Sequence, residues 1–166
     1  MKKNNRILAI DPGTHYIGFA VFDGKELIHY GVKTILRGKP SREVLREGRK
    51  IIKMLLEDFR PVALLVERTR FENIKGSATL NKFTDEIVRI GKTKRLRIRT
   101  LSANTVRKVI CGNGWAGKAD VAGEIAKRYK ELTPYLGSDR KWKEEFYYNM
   151  FDAVALGVSG YRKASC

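Results

Sequence analysis

Along the chain the spacing of apolar and polar residues changes several times, and each change marks an element. Ile7 to Ile10 is a short apolar run that ends in the turn-prone tetrapeptide Asp11-Pro12-Gly13-Thr14. Ile17 to Phe22 reads as a second strand, Asp23-Gly24 as a hairpin turn and Leu27 to Val32 as a third strand. Ser41 follows Pro40 and is placed to cap a helix reaching about Phe59, because Val44, Ile51, Ile52, Leu55 and Phe59 recur at helical spacing. Pro61 stops that helix. Val62 to Val66 is continuously apolar, as a strand buried on both faces requires, and it ends at Glu67. Ala78 to Ile90 reads as a second helix. Arg95 to Leu101 alternates, with Arg95, Arg97 and Arg99 on one side and Leu96 and Ile98 on the other. That row is either a charged edge strand that discourages aggregation or a surface facing DNA. Asn104 to Ile110 is a short helix, Gly112-Asn113-Gly114 a loop, and Ala119 to Leu132 a third long helix. Leu132 to Arg140 is irregular, and Lys143 to Tyr161 forms the last helix.

The order is three strands, helix, strand, helix, strand, then helices. A helical crossover from the meander places strand four parallel to strand one. The expected fold is α/β, a five-stranded mixed sheet flanked by helices, in one domain spanning residues 1–166. No apolar run is long enough to cross a bilayer, and the basic start Met1 to Arg6 lacks the features of a signal peptide. A cytoplasmic setting, in a bacterium or encoded by a phage, follows as the expectation.

Charge changes the picture. Lysine and arginine number 34 against 18 acids, a formal net charge of +16. Such an excess repels itself in the compact state and points to a polyanionic partner, nucleic acid before an anionic membrane surface. Cys111 and Cys166 lie far apart and neither belongs to a CxxC pair, so a zinc site or disulfide framework is not expected.

The candidate chemistry sits at element ends. Asp11 and Glu67 each terminate an apolar strand, and parallel neighbours would bring both to one edge of the sheet. Asp152 lies on the last helix, three residues after Asn149, so those two side chains share a face. Like charges at about 4 Å and an effective dielectric near 20 cost roughly 4 kcal/mol per pair. A divalent cation removes that cost, and hard oxygen ligands suit Mg²⁺ or Mn²⁺. Two such ions are a known solution for cutting a phosphodiester. Taken singly, each acid also has a plain reading as a turn opener, a solvated strand end or a polar helix position.

Cys111-Gly-Asn-Gly-Trp-Ala-Gly-Lys118 fits both GxGxxG and the start of a P-loop. The P-loop then needs Ser or Thr where this chain has Ala119, and neither match follows an apolar strand. Lys118 falls near a helix start, where the macrodipole disfavours a cation and a DNA phosphate would offset it. Trp115 reads either as core or as a stacking residue at a distorted DNA site.

Four segments resemble the RuvC family of Holliday junction resolvases: Ile7-Leu-Ala-Ile-Asp-Pro-Gly-Thr14, Leu65-Val-Glu67, Val106 through Val121, and Asn149-Met-Phe-Asp-Ala-Val-Ala-Leu156. The third is the most specific. The resemblance implies a ribonuclease H-like fold and a homodimer that binds four-way DNA and makes paired symmetric nicks with Mg²⁺ or Mn²⁺. Branch-migration proteins are possible partners. It carries over Asp11, Glu67 and Asp152 as metal-binding catalytic acids, Lys118 as the basic residue near the scissile phosphate, and Arg107, with Lys108 beside it, as backbone contacts. Asn149 occupies a fourth, usually Asp or His, ligand position. Arg70 stands where the family has an aromatic, so a stacking role passes to Phe71 or is lost. A ribonuclease H-type enzyme acting on RNA–DNA hybrids, and a junction-binding protein weakened in catalysis, are the alternatives.

Overall fold

The computed structural model describes residues 4–68 and 76–163, with side chains to 161. Strands β1 (Arg6–Asp11), β2 (Tyr16–Asp23) and β3 (Glu26–Thr34) form the antiparallel meander. Gly24 takes the left-handed conformation (φ 61°) that the tight β2–β3 turn needs. Helix α1 (Ser41–Phe59) crosses over to β4 (Ala63–Glu67), which pairs parallel with β1, and α2 (Ser77–Thr93) leads to β5 (Arg97–Leu101), parallel to β4. The sheet order is β3-β2-β1-β4-β5, so β5 is an edge strand. Helices α3 (Ala103–Cys111), α4 (Lys118–Arg128) and α5 (Lys141–Lys163) complete the fold.

Strand alternation divides the core in two. Leu8 and Ile10 of β1, with Leu64 and Val66 of β4, face α1 and α2, where Ile52, Leu55, Phe83 and Ile87 close over them. Ala9 and Leu65 face the other way, toward α3, α4 and α5. Asp11 is in phase with Ala9, and Glu67 with Leu65. The same period of two that buries those residues therefore aims both acids at the α5 side.

Helix α5 lies close to the sheet because small residues let it. A methyl group on Gly157 would stand 2.0 Å from the Phe22 ring, and one on Gly160 would stand 2.4 Å from Leu65. Gly18, the register partner of Asp11, meets the Asn149 backbone in the same way: an added Cβ would lie 1.9 Å from its carbonyl oxygen. The buried Ser159 is satisfied by donating to the Ala155 carbonyl at 2.8 Å.

Several local expectations are corrected. Ser41 is the first helical residue of α1, not its cap. Pro40 holds the cap position, and the Ser41 hydroxyl pairs with that of Thr79 at 2.7 Å. The fifth strand begins at Arg97, because Arg95 has φ 58° and turns the chain out of α2. Arg97 is exposed, while Arg99 donates to the Gly160 carbonyl at 3.2 Å, so part of the arginine row ties β5 to α5. The third long helix stops at Arg128, and Lys130–Tyr135 forms a 3-10 turn where helix end and irregular chain were expected.

Candidate active site

One cleft at the carboxyl ends of the parallel strands collects residues from every layer. Asp11 and Pro12 come from the end of β1, Glu67 from the end of β4 and Leu80 from α2. Asn104, Val106 and Arg107 come from α3, Lys118 and Val121 from α4, and Asn149 and Asp152 from α5. Ile10 and Val66 are paired in register, so Asp11 and Glu67 are the next residues on adjacent parallel strands. Asn149 and Asp152, three apart on α5, arrive from above.

Lys118 bridges the layers. It is the first residue of α4, and its Nζ lies 3.2 Å from Asp152 Oδ2. The α4 start is made by Gly117, whose N–H donates to the Asp120 carboxylate at 2.8 Å. That carboxylate in the first turn offsets the unfavourable placement of a lysine against the helix dipole. The Asp152 side chain is 19% exposed and that of Lys118 is half-exposed, so the pair closes one wall of the cleft while remaining open to solvent.

The acids oppose one another. Burial pushes the Asp11 carboxyl well above the usual carboxylate range, the charges of Glu67 and Asp152 push it further, and Lys118 only partly offsets them. Burial and then Asp152 raise Glu67 to about 7, against the pull of Lys118 and Arg107. Burial raises Asp152 as well, with Lys118 and Arg107 acting in the other direction. For Lys118, burial works against the charged form, but the Asp152, Asp11 and Glu67 carboxylates outweigh it and raise its pKa. Three carboxylates thus share one ammonium and one nearby guanidinium.

The donor set is all hard oxygen, which fits a hard divalent cation. Among the described residues, no three His, Cys, Asp or Glu side chains are drawn together into a ready coordination cluster. The acids share a cleft and not a closed cage. Asn149 turns its Nδ2 back onto its own helix, donating to the Glu145 and Phe146 carbonyls at 2.9 and 3.3 Å. Its Oδ1 is therefore the end of the amide with acceptor capacity to offer the cleft.

Of the other residues singled out in the sequence, Arg107 lines the cleft, whereas Lys108 is exposed on α3 and outside the lining. Trp115 is 87% exposed and so is not core. The glycine segment joins two helices, α3 and α4, and not a strand to a helix, which rules out both nucleotide-binding patterns structurally. Arg70 and Phe71 lie outside the described residues. Sequence reading missed Asn104 as a lining residue and Gly18 as the position that lets α5 reach Asp11. The first carries no motif signal, and the second needs the β1–β2 register, which only the structure supplies.

Comparison with known proteins gives the family and the fold. The family model for crossover junction endodeoxyribonuclease RuvC matches residues 7–134, which include Asp11, Glu67, Arg107 and Lys118. The RuvC of Synechocystis is 32% identical over 127 residues, covering 72% of this chain and 75% of that protein. Among solved structures, Thermus thermophilus RuvC in complex with Holliday junction substrate superposes with a TM-score of 0.72 at 20% identity, covering 97% of this chain and 95% of that one. The yeast mitochondrial Holliday junction resolvase Ydc2 gives a TM-score of 0.72 at 15% identity, over 98% of this chain and 80% of its own. These structures place α5, beyond the matched segment, in a shared ribonuclease H-like fold. The chain belongs to the RuvC family of crossover junction endodeoxyribonucleases.

Proposed function

We propose that the cleft cuts four-way DNA junctions by paired, symmetric nicks, with Asp11, Glu67 and Asp152 holding two divalent ions, Mg²⁺ or Mn²⁺. The observation that carries this reading is the convergence of the three acids and Lys118 from β1, β4, α5 and α4 on one cleft. Bound divalent ions would supply a water nucleophile at neutral pH and charge stabilisation for the leaving oxygen. The chain's own residues do the rest. Lys118, which shares the cleft with the acids, would pair with the phosphate being cut. Arg107, on the same wall, holds the neighbouring backbone. Asn149 would offer a neutral oxygen where a carboxylate would offer charge, which would loosen the hold on one ion and favour the tighter-binding Mn²⁺ over Mg²⁺.

The described residues of one chain provide one such cleft. Symmetric nicks in two strands need two, so the working unit is a homodimer. The +16 charge supplies the non-specific hold on a polyanion. Branch-migration proteins are natural partners for an enzyme whose product depends on where the crossover stops.

The test is direct. With Mn²⁺, the purified protein nicks a synthetic four-way junction at symmetric positions and cuts linear duplex and RNA–DNA hybrid far less. Equal cleavage of the hybrid would overturn the junction assignment in favour of a ribonuclease H-type activity. Binding falls with salt by about one log–log unit per neutralised phosphate, and a flat response would contradict the charge argument.

A further inference from the structure

Trp115 is 87% exposed, an unusual state for a residue type that is mostly buried on average. Its loop is nevertheless well anchored. Gly112 ends α3 in the left-handed conformation (φ 76°), with its N–H on the Lys108 carbonyl at 2.9 Å. The Asn113 side chain accepts from the Trp115 N–H at 2.9 Å, and the Asn113 carbonyl accepts from the Ala116 N–H at 3.2 Å. Ala116 is buried, and Gly117 is tied to Asp120. The indole therefore stands on a fixed base, with none of the described residues over it.

That base is the rim of the cleft. Gly114 packs on Asn104, where an added Cβ would lie 3.3 Å from the Asn104 carbonyl, and Asn104 lines the cleft. Three residues beyond Trp115 is Lys118, which lines it too. The other tryptophan differs. Trp142 is 55% exposed and lies under the Lys143 ammonium, 5.7 Å from its ring centre. Among the described residues Trp115 has no ring or cation partner.

A flat π-surface held rigidly beside a basic, carboxylate-lined cleft matches one ligand chemistry well. A nucleobase has a π-face and is attached to a phosphate, and it reaches such a post only when it has left its stack. Intact duplex offers no free face. We propose that Trp115 is a stacking post for an unstacked nucleobase next to the phosphate being cut, so that this residue helps the enzyme tell a branch point from continuous duplex. The inference rests on the junction reading of the cleft.

The test uses the metal-free full-length protein in EDTA. Trp142→Phe leaves Trp115 as the sole tryptophan, since the chain contains two. A four-way junction should quench the fluorescence of this variant, and a duplex of the same length should not. Trp115→Ala should weaken junction binding by about 10-fold or more with duplex binding unchanged, as expected for loss of a stacking contact, and Trp115→Phe should restore most of it. An unchanged melting temperature in Trp115→Ala checks that the exposed site is not structural. If Trp115→Ala weakens junction and duplex binding equally, the residue contacts only backbone and the inference fails. It fails also if junction binding is unaffected. If the wild-type protein shows no preference for junction over duplex, the underlying junction reading fails instead, and the two outcomes are distinguishable.

Discussion

On the α1–α2 face of the sheet, Glu86 lies 2.9 Å from Arg49 and 2.6 Å from Arg89. The Arg89 hydrogen bonds, with both guanidinium charges, hold its carboxyl below the ordinary range. On the α3–α5 face, Asp11, Glu67 and Asp152 are all pushed upward by burial, with Glu67 and Asp152 adding to the shift of Asp11 and Asp152 to that of Glu67. One face satisfies its acids. The other gathers acids and leaves them short of positive charge, which costs stability, and in the proposed function a bound cation offsets that cost. The contrast separates carboxylates that are paired within the fold from carboxylates that are left without enough positive charge.

The largest expected effect breaks the frustrated side. Asp11→Asn keeps the shape and removes a charge that burial and both neighbours already oppose. Cleavage of a four-way junction should fall by about 10³-fold or more, while junction binding in EDTA stays within a few-fold of wild type. Lost binding in a folded Asp11→Asn protein would show that Asp11 does more than hold metal.

Next comes the packing that brings α5 to the acids. Gly18→Ala puts a methyl group 1.9 Å from the Asn149 carbonyl, a backbone atom that cannot rotate away. Asn149, Asp152 and the Lys118 contact should shift with the helix. Misplacement on the scale of 1 Å predicts a fall in cleavage of about 10- to 100-fold, and overpacking of this kind costs about 1–3 kcal/mol. The check is a paired measurement of kcat and Tm. A fall in Tm with full activity would mean that α5 need not be placed by Gly18.

Much of this arrangement was legible in the chain. The apolar runs ending at Asp11 and Glu67 announced parallel strands, and the crossover helix forced the acids to one edge. The spacing of Asn149 and Asp152 announced a shared helix face. What was not legible depends on through-space register. Nothing near Gly18 in sequence reveals that it meets Asn149, because that contact joins β2 to α5 across more than a hundred residues. Trp115 had two equal readings in sequence, and its exposure removes the core one, which no spacing rule could have done. Arg95 failed as a strand residue because it takes the left-handed conformation (φ 58°) that turns the chain out of α2, and alternation cannot register that.

The two sides also differ in how stability follows pH. Glu67 titrates near 7 when folded against an ordinary 4.5, so the folded protein holds a proton that the unfolded chain has lost. Stability is then highest below about 4.5 and declines as pH rises through 7. In EDTA, Tm should fall between pH 5 and 8, and Mg²⁺ or Mn²⁺ should restore it at the upper end. Glu67→Gln should flatten the profile and stabilise the metal-free protein at pH 8 by about 1–3 kcal/mol, discounting the shift for partial exposure. A wild-type profile that rises over this range would contradict the proposed frustration.

The smallest effect comes from the satisfied side and carries the opposite sign. Glu86 is lowered when folded, so its contribution is present above the unfolded value and is lost as pH falls through the folded one. Glu86→Gln should therefore destabilise at neutral pH, where Glu67→Gln stabilises. Surface ion pairs contribute about 0–1 kcal/mol, so Tm should drop by no more than a few degrees, and high salt should shrink the difference. Cleavage should be unchanged, because Glu86 lies on the face away from the cleft. Two Glu→Gln changes with opposite signs in Tm at pH 8 would establish that the faces use their carboxylates differently. Equal signs would mean that the cleft acids are held by pairing after all, and that the cation adds to a site already stable without it.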